Sequence, residues 1–247
     1  MWNNKILGNI PSIFGNLQKL QFLDLSQNNF IGNIPSSLGN LTNLLELYIG
    51  YNNLQGSIPS SLSQCRNLLI FNLSNNNLSS NISFPVIGLS FSRNSIDLFG
   101  NQFTGVIPME IGNLINIEHL DIFENLLFGE IPATLKSYVK LEFLAMRRNF
   151  FQGDVPSSLE SLKGLEHFDL SDNKFFGKIP KFLESFDFLQ LLNLSYNDCR
   201  GAKKFPFRQM RFMLGWGSKS KLDNGLDAWP KGYGEDPKNS LYFMPWA

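Results

Sequence analysis

The sequence predicts an α/β solenoid, in which short repeats stack into a curved, right-handed coil with a parallel β-sheet on its concave side. Three observations predict it: a repeat of nearly constant length, apolar residues spaced as in short strands, and a Gly-x-Ile-Pro segment that turns the chain back. One such repeat cannot bury its own apolar face, so neighbouring repeats must stack to form a core.

An asparagine marks the register of the repeat, recurring every 24 residues with a single step of 25. The motif asparagines are Asn28, Asn52, Asn76, Asn101, Asn125, Asn149, Asn173 and Asn197. Apolar residues stand five and three positions before each one, as Leu23 and Leu25 do before Asn28. Alternate strand residues point to opposite faces, so this spacing directs both leucines inward. We expect the asparagine to be buried, because its amide can bond the backbone where the chain leaves the strand.

The return path of each repeat is set by glycine and proline. The Gly-x-Ile-Pro-type segments run from Gly32 to Pro35, Gly56 to Pro59, Gly105 to Pro108, Gly129 to Pro132, Gly153 to Pro156 and Gly177 to Pro180. Glycine permits a bend and proline fixes φ, so we expect a short strand and a helical turn instead of a long helix.

The repeats are predicted to span residues 1–201 as about eight units, leaving 202–247 as a non-repeat tail that we expect to be poorly ordered. Asn4 is in register with the motif asparagines, so the chain is expected to begin inside a strand without an N-terminal cap. The fourth repeat is degenerate, because Ser80 and Ser83 replace the motif Gly and Pro. Two interpretations of the tail stay open: a capping or partner-binding extension, or a frame-shifted or intron-derived end.

Charge and hydropathy exclude several classes of function. The 21 basic and 21 acidic residues balance to a formal net charge of zero, which argues against nucleic acid or an anionic membrane surface as a partner. The sequence contains no apolar run of the ~18 residues that a membrane span needs. Its first residues, MWNNKILGNIPS, have no apolar core of the kind found in signal peptides, so we expect no secretory signal within these residues.

Candidate chemistry is sparse. The two histidines, His119 and His167, stand two repeats apart in one column, about 10 Å by strand spacing, which is too far for one metal ion. We expect both to be solvated side chains of the concave face. With no defensible Ser/His/Asp arrangement, the sequence predicts no enzyme, no cofactor and no metal site.

The two cysteines, Cys65 and Cys199, belong to the third and eighth repeats. Five strand steps separate them by roughly 24 Å, whereas a disulfide needs Cα atoms within about 7 Å. We expect them not to pair.

The segments IPSSLGNLTNL and LEFLAMRRNFFQGDVPSSLESLKGLEHFDLSDN carry a family resemblance. They resemble the plant-type leucine-rich repeat, as found in ectodomains of plant receptor-like kinases of the flagellin-receptor and bacterial-blight-resistance kind and of receptor-like proteins. The resemblance covers residues 4 to about 201. It implies recognition of a peptide or protein ligand, with a co-receptor ectodomain as a further partner, outside the plasma membrane, in immune or developmental signalling. In that family a membrane span and a Ser/Thr kinase follow; neither is within these 247 residues.

The concave face is the predicted ligand-binding site, because its outward residues do not serve the core. The candidates are Phe22, Asp24, Glu46, Tyr48, Tyr51, His119, Asp121, Phe123, Phe143, Arg147, Arg148, His167 and Asp169. For Arg147 and Arg148, a self-satisfied charge ladder with Glu124 and Asp172 stays open as the alternative.

Asn-x-Ser/Thr sequons predict glycosylation if the chain is secreted. They occur at Asn40, Asn72, Asn77, Asn81 and Asn193. Two further functional hypotheses stay open beside receptor recognition: a soluble leucine-rich-repeat inhibitor of a secreted enzyme, or a truncated gene product without a function of its own.

Overall fold

The computed structural model describes residues 1–81 and 94–200, together with the backbone of 211–213. All of these residues belong to one compact unit, Met1–Gly215. The expectation for Ser83 falls on a residue outside the described ones. So does the expectation for the order of the tail, except at 211–213, whose backbone forms a strand. Within the described ranges, every helix is too short or too polar to cross a bilayer.

The concave sheet consists of nine short parallel strands in the described part of the chain. Eight of them come from the repeats, at the segment that holds the inward apolar residues, and the ninth comes from the tail. The strands, numbered here in chain order along the whole chain, are β2 (Phe22–Asp24), β4 (Glu46–Tyr48), β6 (Ile70–Asn72), β8 (Ser95–Asp97), β10 (His119–Asp121), β12 (Phe143–Ala145), β14 (His167–Asp169), β16 (Leu191–Asn193) and β18 (Arg211–Met213). Each strand pairs one repeat further on, so that Leu47 lies between Leu23 and Phe71. Equivalent outward residues therefore form columns across the sheet.

A second parallel sheet lies along the return path, just after each motif asparagine. Its strands are β1 (Leu7–Asn9), β3 (Asn29–Asn33), β5 (Asn53–Gly56), β7 (Asn77–Asn81), β9 (Gln102–Gly105), β11 (Leu126–Gly129), β13 (Phe150–Gly153), β15 (Lys174–Lys178) and β17 (Asp198–Arg200). The pairing here is offset, because Phe128 lies opposite Phe150 and Gln152 opposite Lys174.

The predicted helical turns are 3-10 helices of five residues. They are η1 (Ser12–Asn16), η2 (Ser36–Asn40), η3 (Ser60–Gln64), η4 (Met109–Asn113), η5 (Ala133–Ser137), η6 (Ser157–Ser161) and η7 (Lys181–Ser185). A proline precedes each one with φ between −63° and −72°, as its ring requires. The predicted solenoid is thus confirmed, with 3-10 turns as its only described helices.

The apolar motif residues form one continuous core between the two sheets and the 3-10 turns. Leu25, Leu47, Leu144 and Phe168 are buried at their strand positions, as the period-2 spacing predicts. The motif asparagines from Asn28 to Asn173 are buried as predicted, and Asn197 is half-buried.

Where the described repeats have a glycine four positions after the motif asparagine, it takes a positive φ, for example +88° at Gly105 and +87° at Gly129. In the degenerate fourth repeat Ser80 occupies this position and keeps a positive φ of +132°. The backbone path of the repeat is therefore maintained up to Asn81, at the cost of a conformation that only glycine adopts readily.

The cysteines do not pair, as predicted: both are free thiols. Cys65 is buried, with its Sγ 3.5 Å from the carbonyl oxygen of Leu38, and Cys199 is half-buried. Burial raises the pKa of the Cys199 thiol to about 11, so it is protonated at neutral pH.

Candidate ligand-recognition surface

Outward residues of the concave sheet form two rows of stacked planar groups. The first row consists of residues that open strands β10, β12 and β14, and the second of residues that lie two positions after strands β8, β10 and β12. Between the rows runs the last residue of each strand. Because the strands pair in register, each row repeats with the spacing of the strands.

The first row consists of His119, Phe143 and His167. The ring centroids of His119 and Phe143 are 4.1 Å apart with planes 12° from parallel, and those of Phe143 and His167 are 4.3 Å apart at 21°. All three side chains are half-buried. The histidines, which we expected to be solvated, are therefore only partly exposed, because the ring of Phe143 stacks on both of them.

Stacking in this row keeps both imidazoles neutral. Burial lowers the pKa of His119 to about 4, and the charge of His167 contributes in the same direction. Burial also lowers the pKa of His167 to about 4, with the neighbouring Asp169 opposing the shift and Arg147 adding to it. Both rings are uncharged above about pH 5, and their edges can donate or accept hydrogen bonds.

The second row consists of Phe99, Phe123 and Arg147. Phe99 and Phe123 stack with centroids 4.6 Å apart and planes 7° from parallel. The guanidinium carbon of Arg147 lies 4.4 Å from the Phe123 centroid, in cation–π geometry. Tyr51 meets Phe99 edge to face, 6.1 Å between centroids. The second row is therefore bordered by the ring of Tyr51 at one end and closed by the guanidinium cation of Arg147 at the other.

Arg148 points to a different partner from Arg147. Its Nη1 lies 3.7 Å from Oε1 of Glu124, and both side chains are about half exposed. An exposed pair of this kind contributes between about 0.2 and 1 kcal/mol. The charge-ladder alternative therefore applies to Arg148, while Arg147 lies on an aromatic ring.

Between the two rows, strand β12 ends in Ala145, whereas β8, β10 and β14 end in aspartates that support the backbone. Asp121 accepts a hydrogen bond at Oδ1 from the N–H of Phe123, and Asp169 accepts one from Ser171. Both aspartates are buried, with 3% and 2% of their surface exposed. They were predicted as contact residues, but this burial places them beneath the surface, where they hold the turn after the strand.

Asp97 and Asp121 lie directly opposite each other on β8 and β10. Burial raises the pKa of Asp97 to about 7, against hydrogen bonds from Phe99 N–H and from Asn72. Burial also raises the pKa of Asp121, and the charge of Asp97 adds to the shift. Two such carboxylates side by side disfavour double ionisation.

The first repeats carry a separate polar and aromatic cluster. Phe22 is exposed, and Tyr48 donates a hydrogen bond from Oη to Oε2 of Glu46 at 2.9 Å. Burial raises the pKa of Tyr48, and the hydrogen bond to Glu46 adds to the shift. Asp24 is half-buried and accepts from the N–H of Ser26, in the same turn-supporting role as the other aspartates.

Sequence reasoning missed Phe99, which belongs to the second row, and Asp97, which lies between the rows. The step of 25 residues within the degenerate repeat moves both out of the fixed period. Counting back from the motif asparagine would have found them, because Phe99 precedes Asn101 by two positions, as Phe123 precedes Asn125.

The sequons divide by exposure. Asn40, Asn77 and Asn81 are exposed. Asn72 uses its Nδ2 to donate to Asp97, and Asn193 is buried with its Nδ2 donating to Oγ of Ser171 at 3.1 Å. An amide nitrogen occupied in this way is a poor acceptor for a glycan.

The surface offers binding chemistry. Among residues 1–81 and 94–200, no three His, Cys, Asp or Glu side chains are grouped so as to hold a metal ion. What the two rows present is a rigid array of ring edges, neutral imidazoles and one guanidinium.

The family model for the Leucine Rich Repeat matches residues 19–41, 43–65, 94–114 and 164–186. No protein in a curated collection matches the chain significantly.

Solved structures with the same fold include ectodomains of plant receptors. One is the leucine-rich-repeat ectodomain of the Arabidopsis thaliana membrane receptor kinase GASSHO1/SCHENGEN3 in complex with CASPARIAN STRIP INTEGRITY FACTOR 2. It is 40% identical with a TM-score of 0.77, and the match covers 81% of this chain and 24% of that one. A TDR receptor matches at 35% identity and a TM-score of 0.77, and the match covers 79% of this chain and 34% of the receptor chain. The Arabidopsis receptor kinase HAESA ectodomain, in complex with an IDA peptide hormone, matches at 36% identity and a TM-score of 0.76. This match covers 80% of this chain and 33% of that one.

This chain therefore spans only about a quarter to a third of the length of those ectodomains.

Proposed function

We propose, from the premise that this chain is a leucine-rich-repeat solenoid of the plant receptor-ectodomain type, that it recognises a peptide or protein ligand on its concave face. The parent protein would be a receptor-like kinase or receptor-like protein that displays these repeats outside the plasma membrane. Its output would be immune or developmental signalling, with a co-receptor ectodomain as a further partner.

The two stacked rows carry this proposal. The positions of His119, Phe143 and His167 are filled by Ile70, Ser95 and Leu191 in other repeats, so the fold does not require aromatic rings there. Side chains that a repeat scaffold leaves free to vary are the ones available for recognition.

The chemistry of the rows suits a peptide. Ring edges and the guanidinium of Arg147 can meet backbone carbonyls and carboxylates, while ring surfaces cover apolar side chains. The contact residues we propose are Phe22, Glu46, Tyr48, Tyr51, His119, Phe123, Phe143, Arg147, Arg148 and His167. Phe99, of which 5% is exposed, supports the ring of Phe123 instead. Aromatic and arginine residues at the centre of an interface often contribute about 2 kcal/mol or more on truncation.

The test is a binding screen of the secreted full chain against a library of plant secreted peptides and proteins. For any ligand found, Phe143→Ala and Arg147→Ala should each raise Kd about 30-fold, the equivalent of roughly 2 kcal/mol. The matched control is Gln55→Ala on β5, an exposed residue of the other sheet, which should leave Kd unchanged. Equal affinity for the wild type and both concave-face variants would move the ligand off this face.

We also propose that Asn40, Asn77 and Asn81 carry N-linked glycans when the chain is secreted. Their exposure supports this, whereas the engaged amides of Asn72 and Asn193 do not. Peptide mapping after deglycosylation would show conversion of Asn to Asp at the first three positions. Conversion at Asn193 would contradict the buried geometry.

A further inference from the structure

The outer face of the second sheet carries an apolar patch that neither the core nor the concave face uses. Strands β11, β13 and β15 contribute to it, and the side patch is defined as Leu126, Phe128, Phe150 and Phe176. Their exposed fractions are 44%, 50%, 39% and 53%, respectively. Their immediate neighbours Leu127, Phe151 and Phe175 are fully buried, so the strands present one face to the core and these side chains to the outside.

Equivalent positions in earlier repeats show that the fold does not need these apolar residues. Where the later repeats have Leu126 and Phe150, repeats two to four have Asn29, Asn53 and Asn77, all exposed. Where the later ones have Phe128 and Phe176, the third and fourth repeats have Gln55 and Ser79. A large exposed apolar patch that the scaffold does not require marks an interaction surface.

The charges around the patch are arranged symmetrically about β13. The strand register places Gln152 of β13 opposite Lys174 of β15. On the other side of β13, Phe128 lies opposite Phe150, so that two residues further along the chain Glu130 lies opposite Gln152. The line across the three strands therefore carries an acid, an amide and a base. Glu130 and Lys174 are both exposed, and neither forms an ion pair with another described residue.

We propose that the side patch binds a second copy of this chain about a two-fold axis that runs along β13. An isologous interface must be self-complementary, and this axis exchanges Glu130 with Lys174, giving two ion pairs between the copies. It also brings Phe150 against its counterpart and places Phe128 of each copy beside them. Lys174, whose Nζ lies 5.0 Å from the Phe150 ring centroid, already covers the edge of this cluster.

The same axis brings Asp154 of the two copies together. Asp154 is exposed and directly follows the end of β13, two residues after Gln152. Two carboxylates in this position repel each other, so this residue weakens the association. Asp154→Asn should therefore tighten it, a result that a partner of other chemistry would not produce.

The experiment is sedimentation velocity of the full chain from micromolar to near-millimolar concentration. We expect a reversible dimer for the wild type, at least tenfold weaker in Glu130→Lys and in Lys174→Glu, and tighter in Asp154→Asn. Asn53→Lys, which adds a charge at the position equivalent to Lys174 in the third repeat, is the matched control and should dimerise as the wild type does.

Mixing the two charge variants gives the decisive result. A Glu130→Lys chain and a Lys174→Glu chain each repel themselves, but across the proposed axis they restore both ion pairs, so the mixture should form a heterodimer. A wild-type chain that stays monomeric throughout, or a mixture that does not associate, would overturn the proposal. Neither result depends on the ligand of the concave face.

Discussion

The side-chain amide of Asn149 joins two repeats, because its Oδ1 accepts a hydrogen bond from the backbone N–H of Leu127 in the preceding repeat at 3.1 Å. Its Nδ2 donates to the carbonyls of Ile122, Met146 and Arg147 at 3.0–3.2 Å. One buried side chain thus satisfies backbone groups on both sides of a repeat boundary.

Asn149→Ala should lower the free energy of unfolding by about 3 kcal/mol, since each buried polar group left unpaired costs roughly 1–3 kcal/mol. Urea unfolding followed by circular dichroism measures the change. Asn53→Ala, at an exposed position of β5, is the control and should change stability by less than about 0.5 kcal/mol. If both variants unfold at the same urea concentration, the asparagine ladder does not stabilise the stack.

Ser80→Gly should stabilise the chain by about 1–2 kcal/mol. Ser80 has a φ of +132°, a region that glycine alone enters without strain. Its neighbour Ser79, whose φ is not positive, is the control. Ser79→Gly should destabilise the chain because glycine weakens a strand. Urea midpoints of the two variants should therefore shift in opposite directions; a loss of stability in Ser80→Gly would contradict the strain.

Asp97→Asn should flatten the loss of stability at high pH. The pKa of about 7 in the folded chain lies above the unfolded value, near 3.9. Between those values the folded chain binds more protons than the unfolded one, so this carboxyl makes stability fall as pH rises through the window. The variant should match the wild type near pH 4 and exceed it at pH 8.

Asn72 and Asn193 already occupy the same position in other repeats, so the amide fits there. The measurement is the free energy of unfolding of the wild type and of Asp97→Asn at pH 4 and at pH 8. A stability difference that is the same at both pH values would show that Asp97 does not titrate in this range.

His167→Phe should remove a loss of stability at low pH. The folded-state pKa of about 4 lies below the unfolded value of about 6.5, so the unfolded chain binds more protons and stability falls as pH drops through this window. The groups that face this imidazole are Asp169, Arg147 and, across Phe143, His119. The advantage of the variant should grow by on the order of 2 kcal/mol between pH 7 and pH 4.

Phenylalanine is a conservative probe here because Phe22 and Phe143 stand at the equivalent position in their repeats. Thermal melts across the pH range would follow the effect. An advantage that stays constant with pH would mean that protonation of His167 is not coupled to folding.

The sequence by itself determined the stack of repeats, the register of the motif asparagines and which residues of the concave sheet point away from the core. It could do so because the step of the repeat and the period of two along each strand fix which side chains point inward, and each repeat contacts only its neighbours. The same reasoning predicted that Cys65 and Cys199 stay apart, since their separation follows from counting strands.

Only the tertiary structure decided how neighbouring outward residues meet. A sequence pattern gives the position of His119, Phe143 and His167 in one column, but not that their rings stack and cover part of one another's surface. It assigns Asp121 to the outward face, yet the flanking rows of large side chains and the turn bury it. Burial and pKa depend on the volume of side chains on adjacent strands, and those contacts exist only once the repeats are stacked.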